Sequence, residues 1–284
     1  MDTKVETINC PYCDESKTVP WASENGYTAV KCLGCGLVYV NPRPIDSLIN
    51  DAVQTGVHSE IDNGRTAISR RVGAKVTRYK KLLTSMFGDI WESGIKISWL
   101  DIGAGYGEVV EAITALAPSG SQIEGIEPMK PKAIRARTRG LKISEKYLSD
   151  VTEKFDFVSL VNVYSHIPDF RLFLKEIKNV LAENGEFFLE TGNIGDLVDS
   201  HEVPGELDLP DHLVFAGEHH LIEYLSEAGF SIVAINRLRK DGLIEIAKNV
   251  IKKLIGRRVR LAIPYTSRYR SILIRARLSS SKFS

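Results

Sequence analysis

The chain has 284 residues, 43% apolar and 26% charged, with a net charge of +1. That is enough apolar material for one large domain or a domain with a small appendage. No apolar run approaches the roughly 20 residues that span a bilayer, and Met1 to Glu6 shows no signal-peptide stretch; a cytoplasmic protein is the expectation. The charge is uneven. Arg237 to Ser284 holds 14 Lys or Arg against two acids, Asp241 and Glu245, so that segment is +12 and residues 1–236 are −11. Such a segment either packs on the acidic body or meets an anionic acceptor, an anionic membrane surface or nucleic acid.

All four cysteines lie before residue 36, as Cys10-Pro11-Tyr12-Cys13 and Cys32-Leu33-Gly34-Cys35. Two C-x-x-C pairs give four thiolates at the spacing of a tetrahedral zinc site. Trp21 to Lys31 reads as short strands around a turn at Glu24-Asn25-Gly26. A zinc ribbon over residues 1–44 is therefore expected, with structural Zn2+ on Cys10, Cys13, Cys32 and Cys35. Two disulfides, or redox chemistry at either pair, are the alternatives; the first is disfavoured without a secretion signal. Pro42 and Pro44 set a rigid exit. Residues 45–95 read as a helical lead-in or cap. Val72, Val76, Tyr79, Leu82, Leu83 and Met86 recur at helical spacing within Arg70 to Phe87. That helix is expected beside the first strand of the next unit, closing its ligand site, with residues 55–64 as a flap.

Lys96 to Asp101 reads as a buried strand. It breaks into Gly103-Ala104-Gly105-Tyr106-Gly107, then a helix from Glu108 to Leu116. Alternate glycines give a tight turn and let backbone approach a ligand. Gln122 to Glu127 is a second strand ending in an acid. Strand, glycine turn, helix and acid-tipped strand make a nucleoside-binding half of an α/β fold. A pyrophosphate fingerprint wants G-x-G-x-x-G, and its third glycine is here Glu108. Asp101 before the turn suits a cationic or zwitterionic ligand better than a pyrophosphate.

Over roughly residues 70 to 280 the chain resembles the class I S-adenosylmethionine-dependent methyltransferases. The resemblance implies a Rossmann-like, seven-stranded α/β sheet and S-adenosylmethionine as cofactor. It implies a glycine loop against the methionine and ribose (Asp101, Gly103, Ala104, Gly105, Gly107), with Glu127 on the ribose hydroxyls. Pro128, Met129, Leu148 and Asn162 complete the implied cofactor set, Met129 covering the adenine. Ser149 or Asp150 stands where an adenine-binding acid is usual. The front, C-x-x-C-G-L-V-Y-x-N-P-R-P from Cys32 to Pro44, looks like a subgroup with an N-terminal zinc ribbon. That subgroup includes deoxysugar C-methyltransferases and related small-molecule methyltransferases.

Further elements follow in order: a basic helix from Lys132 to Arg139, a short strand at Lys142 and Ile143, a strand from Phe155 to Asn162, and a helix from Asp169 to Leu181. A fifth strand runs from Glu186 to Glu190. Residues 191–213 form a long cover segment. A helix from Glu218 to Ala228, a strand from Ser231 to Asn236, a basic amphipathic helix inserted at 240–258 and a last strand from Ser271 to Arg277 complete the catalytic unit, 96–284.

Methyl transfer needs alignment and, for an acidic acceptor, a base. His166, at the end of the fourth strand, is the first candidate. His212, from the cover segment, is the second, and Tyr164 would orient the acceptor or share its proton. His219 and His220 read as surface or acceptor-shaping groups. The expected acceptor is a small molecule: a sugar, nucleotide-sugar or glycan-related metabolite, anionic or nucleotide-linked. The alternative is a zinc-ribbon nucleic-acid-binding protein or RNA methyltransferase. The basic tail speaks for it; residues 1–35, with three Lys and no Arg and without basic–aromatic interleaving, speak against it. The apolar face of Leu243 to Ile255 fits a helix on an anionic membrane face, a neighbouring domain or a second subunit.

Overall fold

A computed structural model describes residues 4–55, 73, 75–203, 205–239 and 267–279, with the single positions 247, 250, 251 and 254. Two larger sheets and a two-stranded one organise the described residues. The chain begins with β1 (Val5–Glu6), β2 (Thr18–Glu24), β3 (Tyr27–Cys32), β4 (Val38–Val40) and β5 (Arg43–Pro44). β2 and β3 form a hairpin over Asn25 and Gly26, both at positive φ (53° and 81°). Asn-Gly is the pair that such a two-residue turn favours. β1 pairs with β5 and closes this segment.

Two helices follow, α1 (Asp46–Thr55) and α2 (Val76–Ser93). The expected flap at 55–64 lies outside the described residues, Thr55 excepted. So does the start of the expected 70–87 helix, which is described from Val76 and runs on to Ser93. The catalytic unit contains β6 (Ser98–Ile102), α3 (Glu108–Thr114), β7 (Gln122–Ile126), α4 (Lys130–Arg137), β8 (Ile143–Ser144) and β9 (Phe155–Val161). It continues with α5 (Phe170–Val180), β10 (Leu181–Gly192), β11 (Val214–Phe215), α6 (Glu218–Glu227), β12 (Phe230–Arg239) and β13 (Arg270–Leu278).

Seven of these strands make one mixed sheet in the order β12-β13-β10-β9-β6-β7-β8. β10, β9, β6, β7 and β8 run parallel, while β13 is antiparallel to both β10 and β12. This is the Rossmann-like sheet expected. β6 has β7 on one side and β9 on the other, so the chain reverses its direction of travel across the sheet there. Crevices at the carboxyl ends of such strands are where α/β folds bind ligands.

Under one face of the sheet lies an aromatic core. Trp99 is fully buried, stacked on Phe157 at 4.9 Å and on Trp91 at 5.8 Å, with Phe87 edge-on at 4.9 Å. α2 supplies Tyr79, Leu82, Leu83, Met86 and Phe87 to this core. Arg275 of β13, 4% exposed at its side chain, binds Glu186 of β10 and, through two nitrogens at 2.6 and 2.9 Å, Asp89 of α2. Its guanidinium lies 4.6 Å from the Phe87 ring centroid.

The second sheet has the order β11-β4-β3-β2. Its outer strand β11 comes from just beyond the cover segment, with Val214 opposite Tyr39 and Phe215 opposite Val38. The two units are thus joined through a shared sheet. Cys10 and Cys32 belong to the same apolar cluster as β6 and β9. Of the basic insert only Ala247, Val250, Ile251 and Leu254 are described; they are helical and exposed. Among the described residues no helix is long and apolar enough to cross a membrane.

Candidate functional site

A cavity of about 410 Å³ opens at the carboxyl ends of β6, β7 and β9. Its floor is the glycine turn. Gly103 stands at φ +66°, and a Cβ there would come within 2.6 Å of Val163. Gly107, at φ +80°, caps α3; a Cβ would meet Leu141 at 2.4 Å, so this glycine provides close helix-to-sheet packing. Glu127, 6% exposed at the tip of β7, locks the turn from the side. One carboxylate oxygen accepts the Gly105 amide (2.8 Å) and the other the Met129 amide (2.9 Å). The carboxylate is held in place with lone pairs left for two hydroxyls.

Of the residues expected to bind a cofactor, Gly103, Gly105, Glu127, Pro128, Met129, Leu148 and Asn162 line this cavity together with His166. Asp101, Ala104 and Gly107 do not line it. Asp101 is 2% exposed and accepts a 2.5 Å hydrogen bond from Ser159, whose hydroxyl also accepts the Trp99 indole N–H. Burial pushes its carboxyl up to about 7, with Glu127 adding to the rise. It underpins the turn from within the core. Ser149 and Asp150 stay off the cavity; Asp150 accepts the Tyr147 amide instead.

Two expectations are corrected. Tyr164 is fully buried, edge-on to Phe170, and its hydroxyl has no partner among the described residues. Burial pushes it well above the usual phenol range, so it neither orients an acceptor nor shares a proton. His220 is not at the surface: it is fully buried, accepts the Gly217 amide and packs edge-on against Tyr12 at 4.7 Å. Burial lowers its pKa to about 4. His219 bonds Asp196 and the Cys35 carbonyl. The described part of α2 also lies away from the cavity, on the aromatic core. The wall is supplied by α1 instead, through Leu48, Ile49, Asn50, Ala52 and Val53. These, with Lys132 and Lys146, were missed; a short amphipathic helix carries no sign of which ligand it faces.

His166 and His212 come together, ring centroids 4.8 Å apart. His166 Nδ1 lies 2.8 Å from the Asp211 carbonyl and 3.1 Å from its carboxylate; His212 Nδ1 lies 2.7 Å from the Leu207 carbonyl. A carbonyl only accepts, so both Nδ1 atoms carry protons and both Nε2 atoms present lone pairs in the neutral rings. His212 lines a second cavity of about 230 Å³, and Asn162 lines both. Asn162, ending β9, has a left-handed φ of 56°. Asp208 in this second wall is pushed up to about 6 by desolvation and by Glu24, Asp211 and Glu206.

The four cysteines also converge. Sγ of Cys10 and Cys35 are 3.6 Å apart, those of Cys13 and Cys32 are 3.5 Å apart, and all four lie within 4.8 Å of one another. A tetrahedral metal with bonds of about 2.3 Å sets sulfur atoms roughly 3.8 Å apart. Burial pushes the Cys10 and Cys35 thiols up, so holding them as thiolates needs a cation beside them.

Residues 69–235 match the model of a family described as a methyltransferase domain. The chain belongs to the methyltransferase-domain family. Over 108 residues it is 30% identical to a ubiquinone biosynthesis O-methyltransferase of Histophilus somni. That match spans 33% of this chain and 44% of the relative's length. Among solved structures, the magnesium protoporphyrin IX methyltransferase of Synechocystis PCC 6803 with bound SAH aligns with a TM-score of 0.51 at 13% identity, covering 82% of this chain and 99% of that one. The cyclopropane synthase of Mycobacterium tuberculosis aligns at 0.50 and 14% identity, covering 69% and 83%. These likenesses show the fold. Fold and domain together are those of an S-adenosylmethionine-dependent methyltransferase enzyme.

Proposed function

We propose that the chain transfers a methyl group from S-adenosylmethionine to a hydroxyl-bearing small molecule, a sugar or sugar-linked metabolite being the favoured class. The observation that carries this reading is Glu127. Its carboxylate closes the glycine turn and faces a cavity large enough for a nucleoside, where a ribose diol finds both oxygens. Gly103 and Gly105 leave space for the amino-acid half, and Met129 and Leu148 give an apolar bed for a base. The cofactor supplies a methyl on a cationic sulfur, which leaves as a neutral thioether.

The residues then do three things. α1 and the segment ending at Leu213 exclude water. Asn162 lines both cavities and would fix the approach of the acceptor. His166 Nε2, with Nδ1 held by Asp211, takes the proton released as the acceptor's nucleophilic atom bonds to the methyl carbon. His212 Nε2 is the second acceptor for that proton. Cys10, Cys13, Cys32 and Cys35 would hold one structural Zn2+; four protein ligands leave it no open position for catalysis. Residues 1–44, 45–95 and 96–284 would be ribbon, lead-in and catalytic unit. The name of the curated relative, a ubiquinone biosynthesis O-methyltransferase, supports a small-molecule acceptor. Calorimetry with S-adenosylmethionine, S-adenosylhomocysteine and NADH tests the reading. The first two are expected to bind; binding of NADH alone would overturn it.

A further inference from the structure

The second cavity has a chemistry of its own. Asn162, Ser165, Thr191 and His212 put amide, hydroxyl and imidazole groups around it, and Val214 and Phe215 give one apolar wall. Glu206 and Asp208 add two carboxylates to its lining, and among its described lining residues there is no Lys or Arg. The acids are fixed in place. Glu24 of the β2–β3 hairpin accepts the Leu207 and Asp208 amides, both at 2.9 Å, and the Asn25 side chain donates to the Leu209 carbonyl at 2.7 Å. Asn162 lines both this cavity and the cofactor cavity, and the paired imidazoles line one each.

We infer that this cavity receives the reacting ring of the acceptor and selects a ring bearing hydroxyl or ammonium groups over one bearing a carboxylate or phosphate. The inference rests on the methyltransferase reading and refines its substrate class. Hydroxyls pair with the amide and hydroxyl groups, and a ring face lies on Phe215. An ammonium meets Glu206 and Asp208, whereas an anion meets two like charges with no cation among the described lining residues to offset them. An anionic part of the acceptor, such as a nucleotide, would then lie outside this cavity.

The test is a ligand-observed NMR titration with methyl glucosaminide, methyl glucoside and methyl glucuronide, run with and without S-adenosylhomocysteine. The glucosaminide is expected to bind at least about tenfold tighter than the glucuronide, a difference of roughly 1.4 kcal/mol, with the glucoside between. The Glu206→Gln, Asp208→Asn double variant should cut that ratio to about threefold or less. Its S-adenosylhomocysteine affinity should stay within about twofold, which also reports that it is folded. Equal or tighter glucuronide binding, an unchanged ratio in the variant, or no binding by any of the three overturns the inference. Failure to bind S-adenosylhomocysteine overturns the methyltransferase reading instead, and the sugar ranking is still read on the cofactor-free chain.

Discussion

The two sheets of this protein are held by different means. The seven-stranded sheet has a deep core of Trp99, Phe87, Phe157 and Phe188 and a buried ion network around Arg275. The four-stranded sheet has short strands, a smaller apolar cluster and four converging cysteines. Beyond the β4–β11 pairing and the apolar cluster it shares with the large sheet, single polar side chains tie it to residues 195–198. Lys31 donates to the Gly195 carbonyl at 3.2 Å and to that of Leu197 at 2.5 Å, and Trp21 to that of Val198 at 3.3 Å. The large sheet places the cofactor cavity. The small one grips residues 195–209, which wall the second cavity. One scaffold is self-sufficient, and the other depends on its fasteners.

Removing the metal is the strongest way to break the comparison. Structural zinc contributes on the order of 10 kcal/mol in small modules. A Cys32→Ser, Cys35→Ser variant should lose the zinc found by elemental analysis and unfold its small sheet first, while calorimetry still detects S-adenosylhomocysteine on the large one. Next, His166→Ala should lower methyl transfer about 10²–10⁴-fold with cofactor binding retained. A loss below roughly tenfold would assign His166 to loop structure. Arg275→Ala probes the large sheet alone. It leaves Glu186, 4% exposed, with only the half-exposed Arg277 as partner and should cost up to about 3 kcal/mol in urea unfolding. Glu127→Ala should cost roughly 1.5–3 kcal/mol of S-adenosylmethionine affinity, the scale of a lost charged hydrogen bond.

A pH dependence of similar size is expected as well, at about 1.4 kcal/mol per pKa unit. The folded-state pKa of Asp101, about 7, lies above its unfolded value near 4. The folded chain therefore holds a proton that the unfolded chain has released. That stability is complete below about pH 4 and lost as pH rises through 7. Asp101→Asn should flatten this slope, measured as urea midpoints at pH 5 and pH 8.

The large sheet was readable because its signals are local. Buried apolar runs mark β6, β7 and β9, and alternate glycines followed by Glu127 mark the turn. Gly103, Gly105 and Glu127, on the floor and side of the first cavity, follow from the same signals. What was misplaced depended on long-range packing. Nothing near Tyr164 says that Phe170 and Tyr224 enclose it, and nothing near His220 says that Tyr12, more than 200 residues earlier, lies across its ring. The second cavity was unreadable for the same reason: its acids are set by Glu24 in another sheet.

The pairing of β4 with β11 sets a schedule. Synthesis at about 5–20 residues per second places β11 roughly 10–35 s behind β4. Through that interval Val38, Tyr39 and Val40, each at most 1% exposed in the finished fold, form an open strand edge on a nascent chain. An open apolar edge is a template for pairing with other chains. Early metal capture by Cys10, Cys13, Cys32 and Cys35 would fix the hairpin beside that edge while it waits. The zinc supply during translation, more than the stability of the finished enzyme, would then decide how much soluble protein a cell makes.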